Sequence, residues 1–270
     1  MQMTVRTGFR GVAVLAAPFL CAGTLWAQEI PQAARDADVV VLGEAHDNPA
    51  HHATQARWVA ALRPAALVFE MLTPDQAVRV TPAVRTDPGA LADALEWDAS
   101  GWPDFAMYYP IFAAAPDAVV LGAGLPRDTM QTVMTDGADA LPDAARFGLN
   151  SALPKDQQAA REDLQAEAHC GALPETMLPG MVKVQRARDA ALARAALDAI
   201  AQTGGPVAVI AGNGHARRDW GVPHLLAQAE DKITVFALGQ AEDGRAPEGG
   251  FDLVVNADAV ERGDPCAAFR

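Results

Sequence analysis

Tyrosine is nearly missing from this chain, with two residues in 270, and aromatics together reach only 6%. Cysteine is scarce at three, which excludes a disulfide-dense miniprotein. Basic residues are outnumbered 21 to 34, giving a formal charge of −13. That deficit argues against a duplex nucleic-acid partner, whose phosphates need clustered Lys and Arg. No repeat or low-complexity linker is visible. Past the first 27 residues no apolar run is long enough to cross a bilayer. What is present is ordinary for a globular protein: 50% hydrophobic and 20% charged residues. The length allows one large or two small domains.

Residues 1–27 read as a secretory signal. Arg6 and Arg10 form a positive start, residues 11–22 an apolar core, and Ala27 closes a small-residue cleavage site. The alternative is an uncleaved anchor. Cys21 follows Leu20 and Pro18, a poor match to a lipidation signal, so a soluble periplasmic protein is expected. Export leaves Cys170 and Cys266 in an oxidising compartment, where they are expected to pair. The alternative is two buried free thiols.

Short apolar runs at 38–43, 65–71, 118–122, 206–212, 233–238 and 251–255 read as buried strands. Helical stretches separate them. Pro49–Leu62 has Asp47 or Asn48 as cap, and a long helix spans about 175–202. The pattern predicts an α/β fold: a mostly parallel central sheet flanked by helices, in one domain over 28–270. Insertions at 73–117 and 126–203 would form a helical cap. The long helix shows a stripe of Met177, Met181, Val184, Ala191 and Ala195 that also holds Arg188, a charge that must be paired or serve a site.

Three of these strands run into groups that move protons or bind metals. Gly43-Glu44-Ala45-His46 follows the first, Glu70 ends the second, and Gly212-Asn213-Gly214-His215 follows the fourth. If those strands are neighbours, Glu44, His46, Glu70 and His215 converge outside their carboxyl ends. Such a set suits Zn, Mn, Co or Fe, and equally a metal-free acid/base pair. The alternative is a pair of satisfied core histidines. His51 and His52 sit on the first turn of the next helix, as further ligands, as supports for a ligand, or on a solvated face. His224 reads as a surface or capping residue and His169 as structural. Tyr108 and Tyr109, among Trp102, Phe105, Met107, Ile111 and Phe112, fit either a packed helix or a tyrosinate haem site.

Gly43-Glu44-Ala45-His46-Asp47-Asn48 with His51-His52, Phe69-Glu70-Met71, Gly101-Trp102 with Tyr109-Pro110-Ile111, His169-Cys170-Gly171, Met181-Val182 with Gln185-Arg186-Ala187-Arg188-Asp189, and Gly212-Asn213-Gly214-His215 together resemble the ChaN-like haem-binding uptake family. Cys266 also fits. The family lies within the TIKI/TraB/erythromycin-esterase-like superfamily, and the likeness covers nearly the whole chain after residue 27. It implies an exported haem-binding protein of iron uptake, dimerising around stacked haems, with Tyr109 as iron ligand, Tyr108 second and a histidine assisting. Arg188 would pair a propionate. The superfamily also implies the alternative: a metal-dependent peptidase or esterase using Glu44, His46, Glu70 and His215.

Overall fold

The computed structural model describes Gln2 and residues 29–139, 141–264 and 266–267. The signal segment expected at 1–27 lies, Gln2 aside, outside these residues. Six strands form one sheet: β1 (Val39–Leu42), β2 (Ala66–Phe69), β3 (Val119–Gly122), β4 (Val207–Ile210), β5 (Val235–Glu242) and β6 (Leu253–Ala257). Their order is β3-β2-β4-β1-β5-β6, and every pairing is parallel. Parallel strands covered on both faces need no polar side, which is why β1, β2 and β4 read as unbroken aliphatic runs.

Successive side chains point to opposite faces, so each strand feeds two cores. Val39, Val41, Val68, Val207 and Val209 join the first core, against the helices Arg127–Asp136, Leu178–Thr203 and Val222–Ala229. Val40, Leu42, Leu67, Phe69 and Ile210 join the second, against the helices Pro49–Leu62 and Phe105–Ala114. There Phe69 stacks on Phe112 at 4.3 Å. The 73–117 insertion thus supplies part of one flanking layer, beside the helix Pro49–Leu62, and the 126–203 insertion most of the other.

Two boundaries differ from the sequence reading. β5 runs on to Glu242, because its second half, Leu238 to Glu242, is the part that pairs with β6. The polar Gln240 and Glu242 disguise that extension. β6 accordingly starts at Leu253, while Phe251 packs on Gly239 beside the strand. On the long helix the expected stripe is met in part: Val184 and Ala195 are buried, but Met177 is exposed and Met181, Arg188 and Ala191 only partly buried, while Val182, Asp189, Leu192, Ala193, Ala196 and Ala199 also face inward. Cys170 and Cys266 are joined, with Cα atoms 5.6 Å apart. Among the described residues, no helix is long and apolar enough to cross a membrane.

Candidate functional site

Because β2, β4 and β1 are neighbours, the segments after Phe69, Ile210 and Leu42 emerge side by side. The four expected groups therefore do converge. Glu44, Glu70 and His215 are buried, and His46 keeps about a third of its side chain open. His46 Nδ1 donates to Glu44 Oε1 at 2.7 Å, and its Nε2 lies 3.7 Å from Glu70 Oε1. His215 Nε2 lies 3.4 Å from the same Glu70 oxygen, and its Nδ1 donates to Asp189 Oδ1 at 2.6 Å. The result is one row of alternating acids and bases: Glu44, His46, Glu70, His215, Asp189.

Each side chain has a local reason for its place. Asn48 caps Pro49–Leu62 by accepting from the Ala50 N–H, and this turns the chain back over β1. His51 and His52, on that first turn, are both fully buried. His51 Nδ1 accepts from the Ala45 N–H, fixing the Glu44–His46 loop. His52 Nε2 donates to the His46 carbonyl, and its Nδ1 faces Glu44 Oε2 at 3.3 Å. Glu70 Oε2 accepts from the Gly212 N–H at 2.7 Å, which joins the ends of β2 and β4. Arg188 reaches Glu70 Oε1 from the long helix, so its charge is paired.

Electrostatics follow from this crowding. Burial alone would raise Glu70, but His215, His46 and Arg188 pull its carboxyl far below the usual range. Burial alone would keep His215 neutral, yet Glu70 and Asp189 push it up to about 9. His46 is also raised: the Glu44 hydrogen bond and the Glu70 charge outweigh burial. Burial raises Asp189 and lowers His51. At neutral pH the row holds the Glu70 carboxylate beside a protonated His215.

The two tyrosines part ways. Tyr108 is fully buried and donates to Glu44 Oε1 at 3.0 Å. Burial and the Glu44 charge hold its phenol well above the ordinary value. Tyr109 is half-buried, and its hydroxyl donates to the carbonyls of Arg85 and Thr86 at 3.4 and 3.3 Å. Arg85 in turn binds the carbonyls of Ala115, Pro116 and Ala118, ahead of β3. Tyr109 thus lies on the outer flank of its helix and not in the strand-end row. Trp102 is brought to the mouth, its ring 4.8 Å from that of His46.

Sequence reasoning passed over Asp189, the fifth member of the row. A usable signal exists: Val182, Asp189 and Ala196 share one buried stripe at seven-residue spacing, and an acid there demands a partner. Among the described residues, no three His, Cys, Asp or Glu are arranged to hold a metal ion. The donors are turned on one another.

Gly212 sets the spacing of the row. A Cβ there would stand 2.9 Å from His46 Nε2 and 3.7 Å from Glu70 Oε2. Gly212→Ala is expected to swing the His46 ring off Glu70 and so lower its pKa, without unfolding the protein. Histidine NMR titration checks this, and an unmoved His46 resonance contradicts it.

Fold and site define a doubly wound α/β protein with a buried acid–base row at its strand ends, beneath an aromatic rim. Residues 30–226 match the family described as haem-binding uptake, Tiki superfamily, ChaN, and the chain belongs to that family. Its fold is similar to that of ChaN of Campylobacter jejuni, solved with cofacial haem: 21% identity, TM-score 0.61, 77% of this chain and 82% of that one. Weaker likenesses are to the type III effector HopBA1 (15% identity, TM-score 0.45, 83% and 89% covered) and to an erythromycin esterase mutant, EreC, in its open conformation (14%, 0.42, 77% and 71%). No curated protein matches the sequence.

Proposed function

We propose that this protein binds haem and serves haem-iron uptake, with Tyr109 as the iron ligand. Membership of the haem-binding uptake family over residues 30–226 carries the reading. The ChaN of Campylobacter jejuni, similar in fold, binds haem cofacially.

The chain's own residues fit a flat apolar ligand. The helix Phe105–Ala114 carries no charged side chain, although it packs at the surface. Ala106, Pro110 and Ala113 are exposed, and Met107, Tyr109 and Ala114 partly so. An uncharged outer helix face needs a cover, and a porphyrin face supplies one. The Tyr109 hydroxyl has only two long hydrogen bonds to give up, so releasing it costs little. Haem, when bound, brings an iron that takes a phenolate oxygen. Tyr108, committed to Glu44, stands second, and His51 and His52 hold the loop behind it. Arg188 keeps donors beyond the one used on Glu70, and these suit a propionate. A second copy of the chain would close over the same outer face. In this reading residues 1–27 direct a single-domain protein to the periplasm.

One observation favours a second reading, a hydrolase. The most open member of the row is His46, whose Nδ1–H is held by Glu44, the arrangement of an oriented general base. As arranged, Glu44, His46, Glu70 and His215 do not fit a divalent metal, so this chemistry would run on protons: His46 in its neutral form would take one from water as the water attacks a scissile carbonyl, and would pass it to the leaving oxygen as that oxygen's bond to the carbonyl carbon breaks.

A haemin titration followed by absorbance separates the readings. Saturable growth of a Soret band that weakens at least tenfold in Tyr109→Phe supports the first. No binding by either protein, together with ester hydrolysis that disappears in His46→Ala, moves the conclusion to the second.

A further inference from the structure

β3 lies at the edge of the sheet and pairs with β2 alone. Val119 and Ala123 donate to the carbonyls of Ala65 and Phe69, so the alternation of a parallel ladder turns the N–H and C=O of Val120 away from β2. Arg85 takes the Ala118 carbonyl on one side of this opening. On the other, a Cβ at Gly122 would run into the Thr73 carbonyl. Between them, among the described residues, the backbone groups of Val120 have no partner.

This stretch of edge is the floor of a groove of about 730 Å³. One wall holds Ala77, Val78 and Pro82; the other is the long helix at Ala195, Asp198 and Gln202. Val78 is 79% exposed, about twice any other large hydrophobic side chain among the described residues, so this wall offers apolar surface that the fold leaves bare. Arg85 is the basic residue of the lining, and its guanidinium is committed to the carbonyls of Ala115, Pro116 and Ala118. Asp117 and Asp198 are both exposed there, and Asp198 meets Arg194 only at 3.8 Å. The groove is therefore apolar along its length and acidic at its rim.

A second copy of the chain fits poorly. Its own β3 is recessed in the same way, with Val119, Val120 and Leu121 partly buried, and two recessed edges do not close to the roughly 4.8 Å of paired strands. A single extended chain does. We propose that the groove binds an extended peptide of a partner protein, apolar in the middle and bearing Lys or Arg, which adds to the sheet beside β3. Val120 exchanges backbone hydrogen bonds with it, Val78 covers its apolar side chains, and Asp117 and Asp198 take its cations. Neither the acid–base row nor Tyr109 lines the groove, so the inference stands apart from the haem reading.

The probe is a fluorescent hexapeptide, Lys-Val-Thr-Val-Thr-Lys, titrated with the purified protein and followed by anisotropy. Saturable binding is expected. N-methylation of its four central nitrogens removes their donors and should weaken binding about tenfold or more, as should replacing both lysines with glutamate. Val120→Pro removes the outward donor but spares the ladder to β2, and should cost a similar factor. Asp198→Lys, on an exposed position, should also weaken the peptide and serves if the proline variant does not fold. The proposal is overturned if the hexapeptide does not bind, if the methylated or glutamate peptide binds as well, or if either folded variant keeps its affinity. Dimerisation that Val120→Pro abolishes, without peptide binding, would give the groove to a second copy and equally overturn it.

Discussion

Glu70→Gln is expected to destabilise the protein by about 3–5 kcal/mol, the usual cost of removing one partner from a buried ion pair. Glutamine keeps the shape of the side chain and can still accept from Gly212 N–H, so charge is the main thing lost. Glu70 alone faces His46, His215 and Arg188. Without it His215 falls from about 9 toward or below the ordinary imidazole value, held only by Asp189. The pH profile follows from the signs. A histidine raised on folding stabilises fully below pH 6.5, and that contribution drains away as pH rises to about 9. A carboxylate depressed on folding stabilises above its unfolded value and loses that contribution as pH falls below 4.5. Urea midpoints at pH 4, 6.5 and 10 should trace a dome for the unaltered protein and a flatter line for Glu70→Gln. Parallel curves would show that the row contributes nothing to stability through its charges.

Cys266→Ser should be comparably severe. The Cys170–Cys266 bridge spans a sequence separation of 96, and in the chain-entropy view a loop of that size restrains the unfolded chain by about 4–5 kcal/mol. Other ties on the tail are weaker. Arg262 grips Asp47 and Glu242, but these groups are partly exposed, and such pairs contribute about 1 kcal/mol or less each. The melting temperature is expected to fall by on the order of 10 °C for a chain of this length. A reductant should lower the unaltered protein to the same value and leave the variant where it is. An equal melting point for both proteins in oxidising buffer would contradict the argument.

Much of this architecture is legible in the amino-acid order, for identifiable reasons. Strands buried on both faces, such as Val39–Leu42 and Val207–Ile210, announce themselves as uninterrupted aliphatic runs. The groups that follow them, Glu44, His46, Glu70 and His215, could be named because sites in parallel sheets lie beyond strand ends. That β1, β4 and β2 are neighbours is a property of the topology, and it could only be assumed. Asp189 is not legible because the helical spacing through Val184 and Ala191 selects its neighbour, the partly exposed Arg188, while the buried face is wide enough to take in the acid next to it. Tyr108 and Tyr109 look alike in sequence. A rotation of 100° about the helix puts one on Glu44 and the other on the outer flank.

The sheet order also dictates when this centre can exist. β1 and β2 come first along the chain, yet they are not neighbours: β4 is wedged between them, with Val39 beside Val207 and Ala66 beside that same Val207. A nascent chain therefore carries two sticky parallel strands that must stay apart until a third arrives from the far end of the sequence. Contacts of such long range make folding slow, and premature pairing of the first two strands is its natural trap. The row from Glu44 to Asp189 needs β4 in place between β1 and β2, so no fragment of the chain that lacks this strand can hold the centre together.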